Sequence, residues 1–211
     1  MSVVSLVDVG KRYGAVELFS GVTLTIEEGR AYGISGANGA GKSVLFRILT
    51  GFVRPDSGTV TIDPRFLAPG DVFPRDFGIV IDRPGYLAHR SGLQNLLALA
   101  RIRGVVGEAQ VRQALIDVGL DPDSRTRVGR YSLGMKQKLS IAQATMERQR
   151  VLVLDEPFNA LDRGSAQRLR DRLAAHRDAG GTVVFTSHDH DDIAVLADEA
   201  YELDGGTLQR Q

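Results

Sequence analysis

Hydrophobic and polar positions alternate in three segments near the N-terminus of the chain. The segments are "SVVSLVDV", "GVTLTIEEG" and "GTVTI", which are rich in β-branched residues and end at glycine or acidic turns. This pattern predicts strands at a β-rich N-terminal edge. A further apolar strand, "RAYGIS", leads directly into a glycine-rich loop, and "SVLFRILTGF" continues at helical spacing. The order is therefore strand, loop and helix.

The pattern changes to helical periodicity over residues 91–147. The segment "SGLQNLLALARIRG" opens with Ser91, which is a typical helix N-cap, and "EAQVRQALIDVGL" carries apolar residues at helical spacing. A buried strand, "VLVLDEP", follows, and then come an amphipathic helix over about 163–179, a strand "TVVFTS" and a hairpin "YELDGGTLQ". The sequence thus predicts a helical lobe inserted in an α/β core.

Composition narrows the possible functions. The chain has 211 residues, enough for one core with a smaller lobe. It carries 26 basic and 26 acidic residues, so there is no global field that would favour nucleic acid or anionic lipid. Cysteine is absent, which excludes disulfides and thiolate metal sites. No segment reaches the roughly 18 apolar residues needed to span a bilayer, so we expect a soluble or peripheral protein.

The glycine-rich loop fits the pattern G-x-x-x-x-G-K-[ST] between a strand and a helix. Its glycines let backbone N–H groups turn toward phosphate oxygens, and the helix start adds about half a positive charge. Lys42 would reach the outer phosphates and Ser43 would offer a hydroxyl to Mg²⁺. The alternative is a flexible glycine loop that only caps a helix. The predicted phosphate-binding residues are Gly36, Ala37, Asn38, Gly39, Ala40, Gly41, Lys42 and Ser43.

The strand "VLVLDEP" delivers two carboxylates to the carboxyl edge of the sheet, where sites of open α/β folds lie. We expect Asp155 to hold Mg²⁺ through water and Glu156 to polarise the attacking water. An acidic pair at a strand end is more often a solvated turn. Because a phosphate loop lies upstream in this chain, we favour the catalytic interpretation of the pair over the solvated turn.

Five motifs follow one another along the chain: the phosphate loop, "YSLGMKQ", "VLVLDEP", "NALD" and "TSH". This order resembles the nucleotide-binding subunit of ATP-binding-cassette (ABC) transporters. The resemblance covers essentially the whole chain. It implies a P-loop NTPase of the ABC type, with a mixed β-sheet core, an N-terminal antiparallel edge and an inserted helical lobe. It also implies a single domain over 1–211, with a core at about 1–82 and 150–211 and a lobe at about 83–149.

The family resemblance assigns roles to single residues. "YSLGM" resembles the family signature, usually Leu-Ser-Gly-Gly-Gln, which binds the γ-phosphate held by the other subunit of a dimer. Ser132 would supply a hydroxyl there and Gly134 would permit close backbone approach. His188 matches the switch histidine that contacts the γ-phosphate and the attacking water. The simpler interpretations are a helix cap for Ser132 and a surface residue for His188.

Two further landmarks follow from the same resemblance. Tyr13 lies where the family places an aromatic that stacks on adenine, worth about 1 to 3 kcal/mol; the alternative is a tyrosine packing at a strand edge. Asp162 matches the aspartate of the loop that links the two active sites across the dimer. His89, His176 and His190 match nothing and are expected to be solvated.

Three positions depart from the common family pattern. Asp82 stands where a glutamine usually ends the strand before the helical lobe, and Leu133 and Met135 replace a glycine and a glutamine of the signature. This combination resembles the subgroup of bacitracin-type and lantibiotic-immunity exporters. Asp82 is a candidate Mg²⁺ ligand. The alternative is that it caps the turn before Pro84 or pairs with Arg83 or another local cation.

The resemblance implies a cytoplasmic ATPase that binds ATP and Mg²⁺, peripheral on the cytoplasmic face of the membrane. It would form a homo- or heterodimer and drive a separate transmembrane permease, which residues 82–86 and the lobe behind them would touch. We expect export of an antibiotic, peptide or similar small molecule, and no nucleic acid. The alternatives are a soluble ABC-type ATPase acting on nucleic acid or the translation machinery, or a low-turnover half of a heterodimer.

Overall fold

The computed structural model describes residues 1–68, 70, 73–82 and 85–211. Its strands are β1 (Ser2–Tyr13), β2 (Val16–Glu27), β3 (Ala31–Ser35), β4 (Ser57–Ile62), β5 (Phe77–Val80), β6 (Val151–Leu154), β7 (Thr182–Thr186), β8 (Glu199–Asp204) and β9 (Thr207–Arg210). Its α-helices are α1 (Lys42–Leu49), α2 (Gly92–Arg103), α3 (Glu108–Asp117), α4 (Leu133–Thr145), α5 (Arg163–Asp178) and α6 (His190–Leu196).

The N-terminal sheet is antiparallel and has the order β2-β1-β4. Leu6 in its central strand pairs with Leu24 on one side and with Val60 on the other. Along β2 buried and exposed residues alternate from Val22 to Glu27, because every second side chain points into the core. The predicted antiparallel edge is therefore confirmed.

The second sheet has the order β5-β6-β7-β3-β8-β9, and all its neighbours pair in parallel except β8 and β9. Every residue of β3, β6 and β7 is buried, as expected for strands covered on both faces. Because these three strands run in parallel, their carboxyl ends meet at one edge. The loops that follow them form the candidate site.

Three helices, α2, α3 and α4, share a hydrophobic cluster that includes Leu96, Val111 and Leu139. Ser91 caps α2 with a capping box: its Oγ accepts from Gln94 N at 3.3 Å, and Gln94 Oε1 accepts from Ser91 N at 3.0 Å. The separate cluster is consistent with a helical lobe. The boundary at residue 83 stays a prediction.

Two features differ from the sequence-based expectation. The short helix α6 was not predicted, because it begins in the polar run "HDHDD" and only seven residues form it. The expectation that His176 is solvated is wrong. Its ring packs beside Gly181 and its Nε2 is shielded from solvent, so burial lowers the pKa of the imidazole. Within the described ranges, no helix is long and apolar enough to cross a membrane.

Candidate functional site

The phosphate loop connects β3 to α1 in a conformation that its glycines make possible. Gly36, Gly39 and Gly41 all have positive φ, of 143°, 83° and 100°. At Gly36 a side chain is also excluded by space, because a Cβ would lie 2.3 Å from the carbonyl oxygen of Leu203. The loop therefore passes close to β8 before it reaches the start of α1 at Lys42.

Lys42 folds back into the loop that precedes it. Its Nζ donates to the carbonyl oxygens of Gly36 at 2.6 Å and Ala37 at 3.1 Å, and lies 3.9 Å from Glu156 Oε1. The side chain is only 8% exposed. An ammonium held at this place by carbonyl oxygens is positioned to exchange them for phosphate oxygens.

Ser43 and Asp155 meet at the end of β6. Ser43 Oγ donates to Asp155 Oδ2 at 2.5 Å, although the two residues are far apart in the chain. The other carboxylate oxygen accepts from Thr186 Oγ1 at 2.7 Å. Thr186 Oγ1 in turn accepts from the backbone N–H of Glu156 at 2.7 Å. Sequence reasoning did not single out Thr186, although the "TSH" motif contains it.

Glu156 faces His188 across the same edge of the sheet. The distance from His188 Nδ1 to Glu156 Oε2 is 3.1 Å, and the glutamate side chain is 22% exposed. Glu156 has a φ of 48°, a left-handed conformation that is uncommon for a non-glycine residue. It turns the chain directly after β6, so that Asp155 and Glu156 point to different partners. We call Lys42, Ser43, Asp155, Glu156 and His188 the core site.

Gln137 on α4 holds the turn at Glu156 from the other side. Its Nε2 donates to the carbonyl oxygens of Glu156 at 3.2 Å and Pro157 at 3.0 Å. The core site and the helix that follows "YSLGM" are therefore joined by side-chain hydrogen bonds. No local sequence pattern predicts this contact, because the backbone carbonyls that a helical glutamine meets depend on tertiary packing.

The signature-like loop, residues 131–135, lies at the start of α4. Ser132 is the N-cap, with its Oγ accepting from Met135 N at 3.1 Å, and Leu133 beside it is 53% exposed. A Cβ at Gly134 would lie 2.5 Å from the carbonyl oxygen of Ala160, so only glycine allows this approach. Within one chain, Ser132 therefore acts as a helix cap, and its role toward a second subunit stays a prediction.

Asp162 is the N-cap of α5. Its carboxylate accepts from Ser165 N at 2.8 Å and Ser165 Oγ at 2.7 Å, and these hydrogen bonds hold the pKa of Asp162 below its usual range. Lys138 Nζ on α4 is 3.8 Å from Asp162 Oδ2. Asp162 and Ser132 thus lie at the starts of two neighbouring helices, outside the hydrogen bonds of the core site.

Tyr13 ends β1 and is 52% exposed. Its ring has one neighbouring cation, Lys11 Nζ, at 5.3 Å from the ring centroid. The aromatic face is accessible to a planar partner, as adenine stacking requires. Its role stays a prediction.

Asp82 follows β5 and has a φ of 60°. Its carboxylate forms an ion pair with Arg47 on α1, a cation that is 35 residues away in the chain and that the sequence did not single out. Asp82 also lines a cavity of about 500 Å³ together with Asp155 and Glu156. The other partners considered, Arg83 and Pro84, lie outside the described residues.

Comparison with known proteins identifies the family. The family model described as ABC transporter matches residues 19–159, and the chain therefore belongs to the ABC transporter family as an ATPase subunit. The chain is 33% identical over 211 residues to the bacitracin transport ATP-binding protein BcrA of Bacillus licheniformis, covering 98% of this chain and 68% of that protein. It is 34% identical over 188 residues to the lantibiotic transport ATP-binding protein SrtF of Streptococcus pyogenes, covering 89% and 81%.

A solved structure shares the fold. It is a dimeric ATP-binding cassette in a post-hydrolysis state bound to ADP and Pi, with a TM-score of 0.86 and 22% identity, covering 99% of this chain and 97% of that chain. The predicted ABC-type fold, the ATPase class and the resemblance to bacitracin and lantibiotic transport proteins are confirmed.

Proposed function

We propose that the chain hydrolyses ATP at the core site and so powers a separate membrane-spanning partner that exports an antibiotic, a peptide or a similar small molecule. The observation that carries the proposal is the convergence of Lys42, Glu156 and His188. The Lys42 ammonium lies 3.9 Å from one Glu156 oxygen, and His188 Nδ1 lies 3.1 Å from the other. A phosphate-binding cation, a base and an orienting imidazole are thus held together.

Each residue of the core site has a distinct role in this proposal. Lys42 binds the outer phosphates, and Glu156 orients and polarises the attacking water. His188 holds the Glu156 carboxylate in place and reaches toward the γ-phosphate. Tyr13 stacks on the adenine. Most of the catalysis comes from positioning and charge stabilisation, because phosphoryl transfer needs little covalent chemistry from the protein.

The residues present fit a magnesium ion. Ser43 Oγ and Asp155 Oδ2, 2.5 Å apart, are hard oxygen donors of the kind that Mg²⁺ prefers, and one or two protein ligands suffice where phosphates supply the rest. Ser43 and Asp155 would hold the ion, and Asp82 would contact it closely or through water. When bound, Mg²⁺ neutralises charge on the phosphate oxygens.

A second nucleotide-binding subunit completes the site. Ser132 and Leu133 are exposed, and α4 directs its positive end outward from them. In the proposed dimer, whether homo- or heterodimer, Ser132 and Gly134 contact the γ-phosphate bound by the other subunit, and Asp162 links the two sites.

The transmembrane permease is a separate chain in this proposal, and the subunit is peripheral on the cytoplasmic face of the membrane. The relatives BcrA and SrtF are bacitracin and lantibiotic transport ATP-binding proteins, which supports this type of cargo. The core at about 1–82 and 150–211 would bind nucleotide. Residues 82–86 and the lobe at about 83–149 would contact the permease.

The proposal is tested by producing the chain with its candidate permease in a bacitracin- and lantibiotic-sensitive host. We expect wild type to raise the tolerated concentration of at least one of these peptides, while the Glu156→Gln subunit, produced at the same level, does not. Equal tolerance with wild type and Glu156→Gln would contradict ATP-driven export of these cargoes.

A further inference from the structure

Thr186 is the last residue of β7 and lies between the two strands that lead into the core site. On one side it pairs with Ile34 of β3, the strand before the phosphate loop. On the other side Leu154 pairs with Phe185, so Thr186 lies beside Asp155, the residue that follows β6. Thr186 is fully buried. Its hydroxyl therefore touches neither nucleotide nor solvent, and it can act on a reaction only through its neighbours.

The Thr186 hydroxyl joins the two carboxylate residues of the core site. Its Oγ1 donates to Asp155 Oδ1 at 2.7 Å and accepts from the backbone N–H of Glu156 at 2.7 Å. The directions of both hydrogen bonds are fixed, because an ionised carboxylate can only accept and an N–H can only donate. An apolar side chain of the same shape would leave both neighbours without this partner.

The first hydrogen bond orients the Asp155 carboxylate. Because Thr186 holds Oδ1, the other oxygen, Oδ2, faces Ser43 Oγ, which donates to it. Ser43 Oγ and Asp155 Oδ2 are the two oxygen atoms that we assign to Mg²⁺. A carboxylate that rotates freely presents this edge only part of the time. Loss of the Thr186 hydrogen bond should therefore weaken the metal site rather than the phosphate loop.

The second hydrogen bond fixes the turn that directs Glu156. The Glu156 N–H lies beyond the last residue of β6 and donates to a side chain. Glu156 has a φ of 48°, and such a left-handed residue keeps its conformation only where its surroundings hold it. Thr186 binds the N–H and Gln137 binds the carbonyl oxygen. The Glu156 side chain is thereby directed to His188 Nδ1, 3.1 Å away.

We propose that Thr186 is a positioning residue for ATP hydrolysis, which acts through Asp155 on the metal and through Glu156 on the attacking water. The inference rests on the roles that the proposed function gives to these two carboxylates. It goes beyond them by assigning both orientations to one buried hydroxyl. Because Thr186 touches no part of the phosphate loop's ligand, its removal should change the ATP affinity measured without Mg²⁺ very little.

The test compares Thr186→Val with Thr182→Val. Valine keeps the branched shape of threonine and removes the hydroxyl. Thr182 is the matched control, because it is equally buried and lies at the other end of β7 from the core site. Its Oγ1 accepts from the backbone N–H of Gly29 at 3.0 Å. Both variants therefore lose a hydrogen bond from a backbone N–H, and only Thr186→Val loses it beside the carboxylates.

Single-turnover hydrolysis and equilibrium ATP binding are measured with the full chain over a range of Mg²⁺ concentrations. For Thr186→Val we expect a rate about 10- to 100-fold lower at saturating Mg²⁺, with metal-free ATP affinity within about twofold of wild type. The gain in ATP affinity on adding Mg²⁺ should fall about threefold. Thr182→Val should match wild type in all three, even where urea unfolding shows lower stability. A wild-type rate or an unchanged Mg²⁺ gain in Thr186→Val would overturn the proposal, as would equal losses in Thr182→Val.

A graded series covers the case in which Thr186→Val does not fold. Thr186→Ser keeps the hydroxyl and should hydrolyse ATP within about threefold of wild type, whereas Thr186→Cys, whose thiol forms weak hydrogen bonds, should be about tenfold slower than Thr186→Ser. Equal rates for Thr186→Ser and Thr186→Cys would contradict the role of the hydroxyl.

The Glu156→Gln background separates this inference from the proposed function. Because Thr186 acts on the water through Glu156, adding Thr186→Val to Glu156→Gln should lower the residual rate at saturating Mg²⁺ by less than about threefold. A near-wild-type rate in Glu156→Gln would refute the role proposed for Glu156. An inactive Glu156→Gln protein beside a fully active Thr186→Val protein would refute the positioning role of Thr186 alone.

Discussion

The core site and the signature-like loop differ in how many of their side chains have partners within the same chain. In the core site, Lys42, Asp155 and Glu156 all have hydrogen-bond or charge partners within the chain. In the signature-like loop, the hydrogen bonds that Ser132 forms with other described residues go to the first turn of its own helix, and Leu133 is 53% exposed. The comparison shows that folding assembles the core site within one chain, whereas the signature-like loop leaves Leu133 exposed. We propose that a second subunit contacts this loop.

The largest expected effect concerns the core site alone. Glu156→Gln should keep ATP affinity and lose about 10² to 10⁴ in hydrolysis rate, because the amide cannot polarise water as the carboxylate does. Lys42→Ala should weaken ATP binding itself. Equilibrium binding and single-turnover kinetics separate the two losses. If Glu156→Gln hydrolysed ATP at a rate within about threefold of wild type, Glu156 would not be the residue that polarises the water.

The next effect concerns the exposed loop. In the Glu156→Gln background, Ser132→Arg should bind ATP as a monomer and fail to form the ATP-dependent dimer, because a bulky side chain occupies the place of the partner's phosphate. Sedimentation velocity with ATP measures the dimer. Ile116→Arg on the exposed face of α3 is the matched control and should dimerise. A Ser132→Arg dimer would mean that the loop is only a helix cap.

Gln137 joins the two regions, so its removal tests whether they act together. Gln137→Leu loses the hydrogen bonds to the carbonyl oxygens of Glu156 and Pro157 and loosens the left-handed turn at Glu156. We expect a roughly tenfold lower kcat with little change in ATP affinity, as for a positioning residue. Gln137→Glu cannot donate and should behave like Gln137→Leu. Wild-type kcat in both variants would show that the turn holds without α4.

Asp82 tests the edge of the core site. Asp82→Asn keeps the left-handed backbone, which asparagine tolerates, and removes the charge. We expect the Mg²⁺ concentration for half-maximal ATPase activity to rise a few-fold, about threefold, with metal-free ATP binding unchanged. Asp82→Gln should recover partially. Because Arg47 pairs with Asp82, Arg47→Gln should lower the Mg²⁺ requirement. Overlapping Mg²⁺ curves for Asp82→Asn and wild type would leave Asp82 structural.

The smallest effect lies outside both regions. His176 has a pKa lowered from 6.5 by burial, so the unfolded chain binds a proton more readily than the folded one. The free energy of unfolding should therefore decrease as pH falls below about 6.5. His176→Asn should show a smaller decrease between pH 7.5 and 5.5 in urea unfolding, and exposed His89→Asn should match wild type. Equal pH dependence in wild type and His176→Asn would contradict a lowered pKa for this half-buried imidazole.

The sequence by itself determined the features that depend on neighbouring residues. The phosphate loop was predictable because its glycines, Lys42 and Ser43 lie in one short strand-to-helix segment, where the backbone conformation follows from residue type. The alternating and apolar runs predicted the antiparallel edge and the buried strands for the same reason. Ser91 and its capping box are equally local.

Only the tertiary structure decided which distant groups meet. It paired Asp82 with Arg47, brought Thr186 to Asp155 and placed Gln137 under the turn at Glu156. It also half-buried His176, which the sequence placed in solvent, and left Gln149 Oε1 and Arg172 Nη1 buried without a hydrogen-bond partner among the described residues. The physical reason is that these contacts join residues from different elements. Their distances depend on how the parallel sheet and the helices pack, and no local propensity encodes that packing.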